Sequence, residues 1–154
     1  MLTLEEKKEI EDILSNYPTR QAAGIDALVI VQRHRGWISD EILVKVADFL
    51  NMTSAELDSV ATFYNLIFRK PVGRHVILLC DSVSCWVMGF ESLLDYFKKQ
   101  LGIGFGQTTP DGRFTLLPHV CLGACDQAPA MMIDGDLHGG LDPDKIDHIL
   151  LLYP

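Results

Sequence analysis

Cysteine is missing from the first 79 residues of this 154-residue chain, and the four present, Cys80, Cys85, Cys121 and Cys125, all fall in the second half. Long apolar runs are missing too. The longest, 27–31, 76–80 and 149–153, have five residues each, against the roughly 20 that cross a bilayer, so no membrane span is expected. Basic charge is scarce: 13 Lys and Arg face 21 Asp and Glu, a net −8. That leaves no surplus to neutralise phosphates, and nucleic acid is excluded as an expected partner. The N-terminus Met1-Leu2-Thr3-Leu4-Glu5-Glu6 has neither a basic, apolar signal pattern nor an Arg-rich presequence, which gives a cytoplasmic expectation. In that compartment four cysteines point to metal binding or redox chemistry rather than to disulfides.

Nucleotide machinery is lacking as well. Gly102-Ile-Gly-Phe-Gly106 is a bare G-x-G-x-G behind a helical pattern, not the G-x-G-x-x-G that opens a helix after a strand, and there is no P-loop. No nucleophile and base stand out as a pair. The five histidines, at 34, 75, 119, 138 and 148, are scattered. Only His119 stands within two residues of a cysteine, Cys121, and a plain loop role is the simpler reading for it.

What the chain does have is periodicity. Thr3 and Glu6 form a capping-box pattern ahead of Ile10, Ile13 and Leu14, and Pro18 closes that segment. A second helix is expected from about 22 to 35 with Ile25, Leu28, Val29 and Gln32 on one face and Gly36 as its C-cap. Ser39 caps a third, striped by Ile42, Leu43, Val46, Ala47 and Leu50, and the pair Thr53 and Glu56 opens a fourth with Leu57, Val60, Ala61 and Tyr64. Four short helices fit a small bundle. The basic run Arg33-His34-Arg35 reads as completion of a helix C-terminus or as a docking patch. Trp37, Phe63 and Tyr64 read equally as core or as interface.

After residue 73 the texture changes. The apolar run 76–80 suits a strand buried on both faces, followed by a helix over 85–101 with Phe90, Leu93, Leu94 and Phe97 inward. Strands are expected at 113–117, 130–133 and 137–141, and Pro143 opens a last helix. The acidic excess is larger in this half, with 5 basic and 10 acidic residues in 74–154 against 8 and 11 in 1–73.

The cysteines are spaced C-x4-C, then 35 residues, then C-x3-C. Each pair sits in a loop beside a predicted strand, and parallel or mixed pairing would carry both loops to one edge of the sheet. Wide pairs favour a four-thiolate 2Fe-2S centre over a zinc knuckle, though zinc and unligated thiols remain open from spacing alone. Plant-type ferredoxin spacing, a Rieske pattern and a C-x-x-C dithiol are all absent. The amides of Ser82, Val83, Ser84, Gly123 and Ala124 are candidate donors to sulfur, and Asp81 and Asp126 would oppose reduction.

Three segments together, Cys80-Asp-Ser-Val-Ser-Cys85, Thr108-Thr-Pro-Asp-Gly-Arg-Phe-Thr-Leu116 and Cys121-Leu-Gly-Ala-Cys125-Asp-Gln-Ala-Pro129-Ala-Met-Met-Ile133, resemble the family of small 2Fe-2S subunits of NADH:quinone oxidoreductase (respiratory complex I), the NuoE type of bacteria. Val60-Ala-Thr-Phe-Tyr-Asn65 and the helical first half match the family too, so the likeness spans essentially the whole chain. It implies an α/β (α+β) architecture, with a helical domain over 1–72 and a thioredoxin-like 2Fe-2S domain over 73–154 whose mixed sheet is flanked by helices. It further implies that Cys80, Cys85, Cys121 and Cys125 ligate one 2Fe-2S cluster, and that Pro129 lies where such domains place a cis-proline.

By the same resemblance the chain carries electrons but has no catalytic residue and no activity alone. NADH and FMN belong to a partner flavoprotein subunit, further peripheral-arm subunits assemble with it, and the whole lies on the inner side of the plasma membrane. The corresponding subunit of a soluble NAD-linked hydrogenase or formate dehydrogenase, or a free-standing thioredoxin-like ferredoxin, would share these motifs.

Overall fold

Both capping boxes form. The Thr3 hydroxyl accepts from the Glu6 amide and the Glu6 carboxylate accepts from the Thr3 amide, with the same reciprocal pair between Thr53 and Glu56. They open α1 (Leu4–Leu14) and α4 (Ser54–Phe63), between which lie α2 (Gly24–Arg35) and α3 (Asp40–Leu50). The computed structural model describes residues 1–154 as two compact units, Met1–Pro71 and Val72–Pro154.

The N-terminal unit is all-helical around Ile10, Leu28, Val31, Ile38, Val46, Leu50 and Leu57. In α3 the five expected stripe residues are all buried. The face of α2 differs from expectation. Ala27, Leu28, Ile30 and Val31 are buried while Val29 is 45% exposed. Gln32 sits at the rim, where its side chain donates to the Leu66 carbonyl at 2.8 Å and accepts the Phe68 amide at 2.6 Å. Every position of 27–31 is apolar, so periodicity could not choose a face.

The basic run at the end of α2 ties helices together. Arg33 and His34 both reach Glu9, and Arg35 grips Glu6 through Nε at 2.6 Å and Nη2 at 2.8 Å. Glu6 is only 1% exposed. The run thus completes the last turn of α2, and its charges are paired within the unit. Phe63, at 80% exposure, is likewise not a core residue.

The C-terminal unit carries a five-stranded mixed sheet of order β2-β3-β1-β4-β5: β1 (His75–Cys80), β2 (Gln107–Thr108), β3 (Phe114–His119), β4 (Met131–Ile133) and β5 (Asp136–His138). β1 and β3 run parallel, and the other neighbours are antiparallel. Ile77 and Leu79 of β1 pack with Phe114, Leu116, Met131 and Ile133 against Phe90, Leu93 and Phe97 of α6 (Phe90–Leu101) and Ile146, Ile149 and Leu150 of α7 (Pro143–Leu151). Alternation sends Val76, Leu78 and Cys80 to the opposite face.

Two expectations are corrected. The single helix over 85–101 is two, α5 (Val83–Val87) and α6, because Gly89 adopts φ 109°, a left-handed conformation that ends one helix and turns the chain into the next. The turn-rich 102–112 segment also holds β2, two residues too short for alternation to reveal.

Candidate metal centre

The parallel pairing of β1 with β3 places the C-terminal ends of both strands together, with Cys80 in register with His119. Both cysteine-bearing loops leave from that end. After Cys80 the chain turns through Asp81 and Ser82 into α5, where the Trp86 amide donates to the Ser82 carbonyl at 2.8 Å. Cys85 is the third residue of α5, not its first turn's opener as expected. After His119 the chain passes Val120 and Cys121, then makes a 3-10 turn over Cys125–Gln127. The Ala128–Pro129 bond that follows is cis, as the resemblance implied.

All four thiols are free. Cys121 Sγ and Cys125 Sγ stand 3.6 Å apart, and the Gly123 amide donates to Cys121 Sγ at 3.3 Å. The Cys80 thiol donates to the Val120 carbonyl at 3.2 Å, which ties one cysteine loop to the other. Cys80 and Cys85 are each 2% exposed, whereas Cys121 and Cys125 are exposed. Burial first, then a hydrogen bond with Cys80, pushes the Cys85 thiol up to about 11, while the Ala130 amide draws it down and the nearby charges of Cys80 and Cys125 add to the rise. Cys80, Cys85, Ala124 and Ala130 form a small apolar cluster of their own, lined by Leu122 and Ala128.

These contacts link the thiols as two pairs, Cys80 with Cys85 and Cys121 with Cys125, with the second pair near enough to act on the first. Two thiol pairs are a donor set that fits a two-metal centre with one pair at each metal.

A model of the thioredoxin-like [2Fe-2S] ferredoxin family matches residues 10–153 of this chain. The chain belongs to that family. Among its relatives, the E subunit of NADH-quinone oxidoreductase from Pseudomonas aeruginosa is 49% identical over 153 residues, covering 99% of this chain and 92% of that protein. Its Escherichia coli counterpart is 48% identical over 152 residues, with the same coverage. Among solved structures, an NAD+-reducing [NiFe]-hydrogenase in the air-oxidised state superposes with a TM-score of 0.71 at 27% identity. That match covers 84% of this chain and 22% of the hydrogenase chain.

As a member of the thioredoxin-like [2Fe-2S] ferredoxin family, the chain has the mixed α/β architecture and the NuoE-type likeness expected from its motifs. Of the expected amide donors to sulfur, Gly123 is seen in place. Three contributors were missed: the Ala130 amide at Cys85, the Val120 carbonyl at Cys80, and the apolar side chains beside the site. Val83, Trp86, Val87 and Met88 are 56–75% exposed and Val120 is 68% exposed. The string Trp86-Val-Met88 directly after Cys85 was the available signal, since a five-residue helix cannot bury every apolar side chain it carries.

Proposed function

We propose that the chain is the electron-transfer subunit of an NADH-quinone oxidoreductase, holding one 2Fe-2S cluster on Cys80, Cys85, Cys121 and Cys125 and exchanging an electron with the FMN of an NADH-binding flavoprotein subunit. The observation that carries this reading is the gathering of four free thiols, as two pairs, at one end of a parallel strand pair. When bound, such a cluster takes up and returns one electron at a potential set by its surroundings. The chain supplies those surroundings. Cys80 and Cys85 give a desolvated pair, Cys121 and Cys125 a pair at the surface, and the Gly123 and Ala130 amides donate to Cys121 and Cys85 sulfur and so stabilise negative charge there. The thiols must lose their protons to ligate, so loading releases protons and is favoured by rising pH.

Val83, Trp86, Val87 and Met88 around Cys85, and Val120 next to Cys121, are exposed, and so are the carboxylates of Asp81, Glu91 and Asp126 in the same stretches of chain. An apolar centre with a polar rim is the anatomy of a protein interface. A redox partner has to approach this edge of the site, and the acidic flank suits a partner with a basic rim there. The flavoprotein subunit is the occupant that this reading assigns. No helix is long and apolar enough to cross a membrane, so attachment at the inner face of the plasma membrane, beside the other peripheral-arm subunits, runs through the rest of the complex. The hydrogenase likeness supports a second reading, the corresponding subunit of an NAD-linked hydrogenase. Partners recovered with the native complex separate the two.

Iron and sulfide analysis with an absorbance spectrum tests the cofactor: two irons and two sulfides per chain are expected, and a colourless protein with one zinc would overturn the assignment. Cys121→Ser should lose or weaken the reduced-state EPR signal while the N-terminal unit stays folded. The purified chain should not oxidise NADH, and turnover without a flavoprotein would refute the role.

A further inference from the structure

His119 Nδ1 is the one buried side-chain nitrogen or oxygen in this chain that has no hydrogen-bond partner. Leaving such an atom unpaired costs about 1–3 kcal/mol, and native proteins pair nearly all of them. The other four histidines have partners: His34 with Glu9, His75 with Asp134, His138 with Tyr153, and His148 with the Asp144 carbonyl.

The location of the orphan is informative. His119 is the last residue of β3, in parallel register with Cys80, so the two side chains leave the same face of the sheet. Its carbonyl accepts the Asp81 amide at 3.0 Å, which fixes its backbone against the first cysteine loop. The next residue, Val120, receives the Cys80 thiol, and the one after it is Cys121. An unsatisfied imidazole nitrogen thus belongs to the residue that is paired in register with Cys80 and lies two before Cys121, with no carboxylate within hydrogen-bond reach of it. Thiolate and sulfide sulfurs are anionic acceptors, and they are present there only when the site is filled.

We propose that His119 is a positioning residue for the redox centre, its Nδ1–H donating to a sulfur of the bound cluster and favouring the reduced state. The inference rests on the four-cysteine reading given above. A donor to sulfur stabilises the added negative charge of reduction, so losing it shifts the equilibrium toward the oxidised form.

The test uses the full chain carrying its cluster, with the reduction midpoint followed by EPR. His119→Leu should move the reduction equilibrium about tenfold toward oxidised, which is 59 mV lower for one electron. His119→Asn, which keeps an N–H close to the Nδ1 position, should recover most of that shift. In a second measurement, pulsed EPR of the reduced unsubstituted chain with 15N in histidine alone should show a weak nitrogen coupling that vanishes in His119→Asn. An unchanged midpoint in His119→Leu, an equal shift in the Asn and Leu variants, or no histidine coupling in the unsubstituted chain would overturn the inference while leaving the four-cysteine site intact. A chain without iron and sulfide would remove the four-cysteine reading itself, and the inference with it.

Discussion

Arg35→Met isolates the most buried charge in the molecule. Glu6 is 1% exposed and its carboxylate is held by Arg35 Nε at 2.6 Å, Arg35 Nη2 at 2.8 Å and the Thr3 amide at 2.7 Å. Methionine keeps most of the side-chain packing and removes both ionic hydrogen bonds, so Glu6 is left charged, buried and held by the Thr3 contacts alone. Removing one partner of a buried pair costs about 3–5 kcal/mol. The Arg35 side chain is 29% exposed, and solvent reaching the gap it leaves places the expected loss at the lower end, about 3 kcal/mol. The assay is urea unfolding of the full chain in a Trp86→Phe background, so that fluorescence reports Trp37 alone, two residues past the substitution in the N-terminal unit. Trp86 is 56% exposed and belongs to the C-terminal unit.

The pH dependence has a definite sign. The Arg35 hydrogen bonds hold the Glu6 carboxyl below its usual range, so the pair contributes fully above the unfolded carboxyl value, about 4.3, and fades as pH falls through the lower folded value. The deficit of Arg35→Met should therefore be largest near neutrality and shrink as pH drops below about 4. A loss under about 1 kcal/mol at pH 7, or a deficit that grows on acidification, would refute the account of Glu6 as a desolvated charge dependent on Arg35.

The site and its supports give further tests. A Cβ on Gly139 would fall 2.5 Å from Gln127 Cβ and 2.8 Å from its carbonyl oxygen, so Gly139→Ala should displace the turn that follows Cys125, cost about 1–3 kcal/mol by overpacking, and lower iron content per chain; full iron loading would contradict it. Arg113 donates from Nε to the Tyr153 carbonyl at 2.6 Å and from Nη2 to the Leu150 carbonyl at 2.5 Å, serving the open end of α7. Arg113→Met should cost about 2 kcal/mol, on the scale of hydrogen bonds to a charged group, read as a fall in the thermal midpoint of the C-terminal unit with the Trp37 signal unmoved. Trp86→Ser should weaken capture of the proposed flavoprotein partner at least tenfold, about 1.4 kcal/mol, without changing the EPR signal, and undiminished capture would remove that residue from the proposed interface.

The elements that were legible in the sequence are those whose cues are local. Capping boxes at Thr3 and Thr53, the stripe of α3 and the proline that opens α7 are patterns within one or two turns, and they form as read. The break at Gly89 was missed because apolar spacing runs on across it, and a single glycine signals either a tolerated residue or a turn. Arg33, His34 and Arg35 complete the last turn of α2 as one reading had it, but their carboxylate partners could not be read locally, because Glu6 and Glu9 lie more than twenty residues away. For the site, spacing and flanking segments singled out the cysteines, while the Ala130 amide, the Val120 carbonyl and the want of a partner at His119 come from strand register. Register depends on which strands are neighbours, and no run of residues states that.

Cys80 and Cys85 have an apolar setting of their own, apart from the packing of α6 and α7 on the sheet. In zinc-finger peptides the metal's binding energy is the folding energy, and the chain collapses when the metal leaves. Here the principal core of the unit contains no cysteine. On the proposed four-cysteine reading, the principal core of the unit therefore does not depend on the cluster, and a chain without it still presents Cys121 and Cys125 at the surface, open to incoming iron and sulfide.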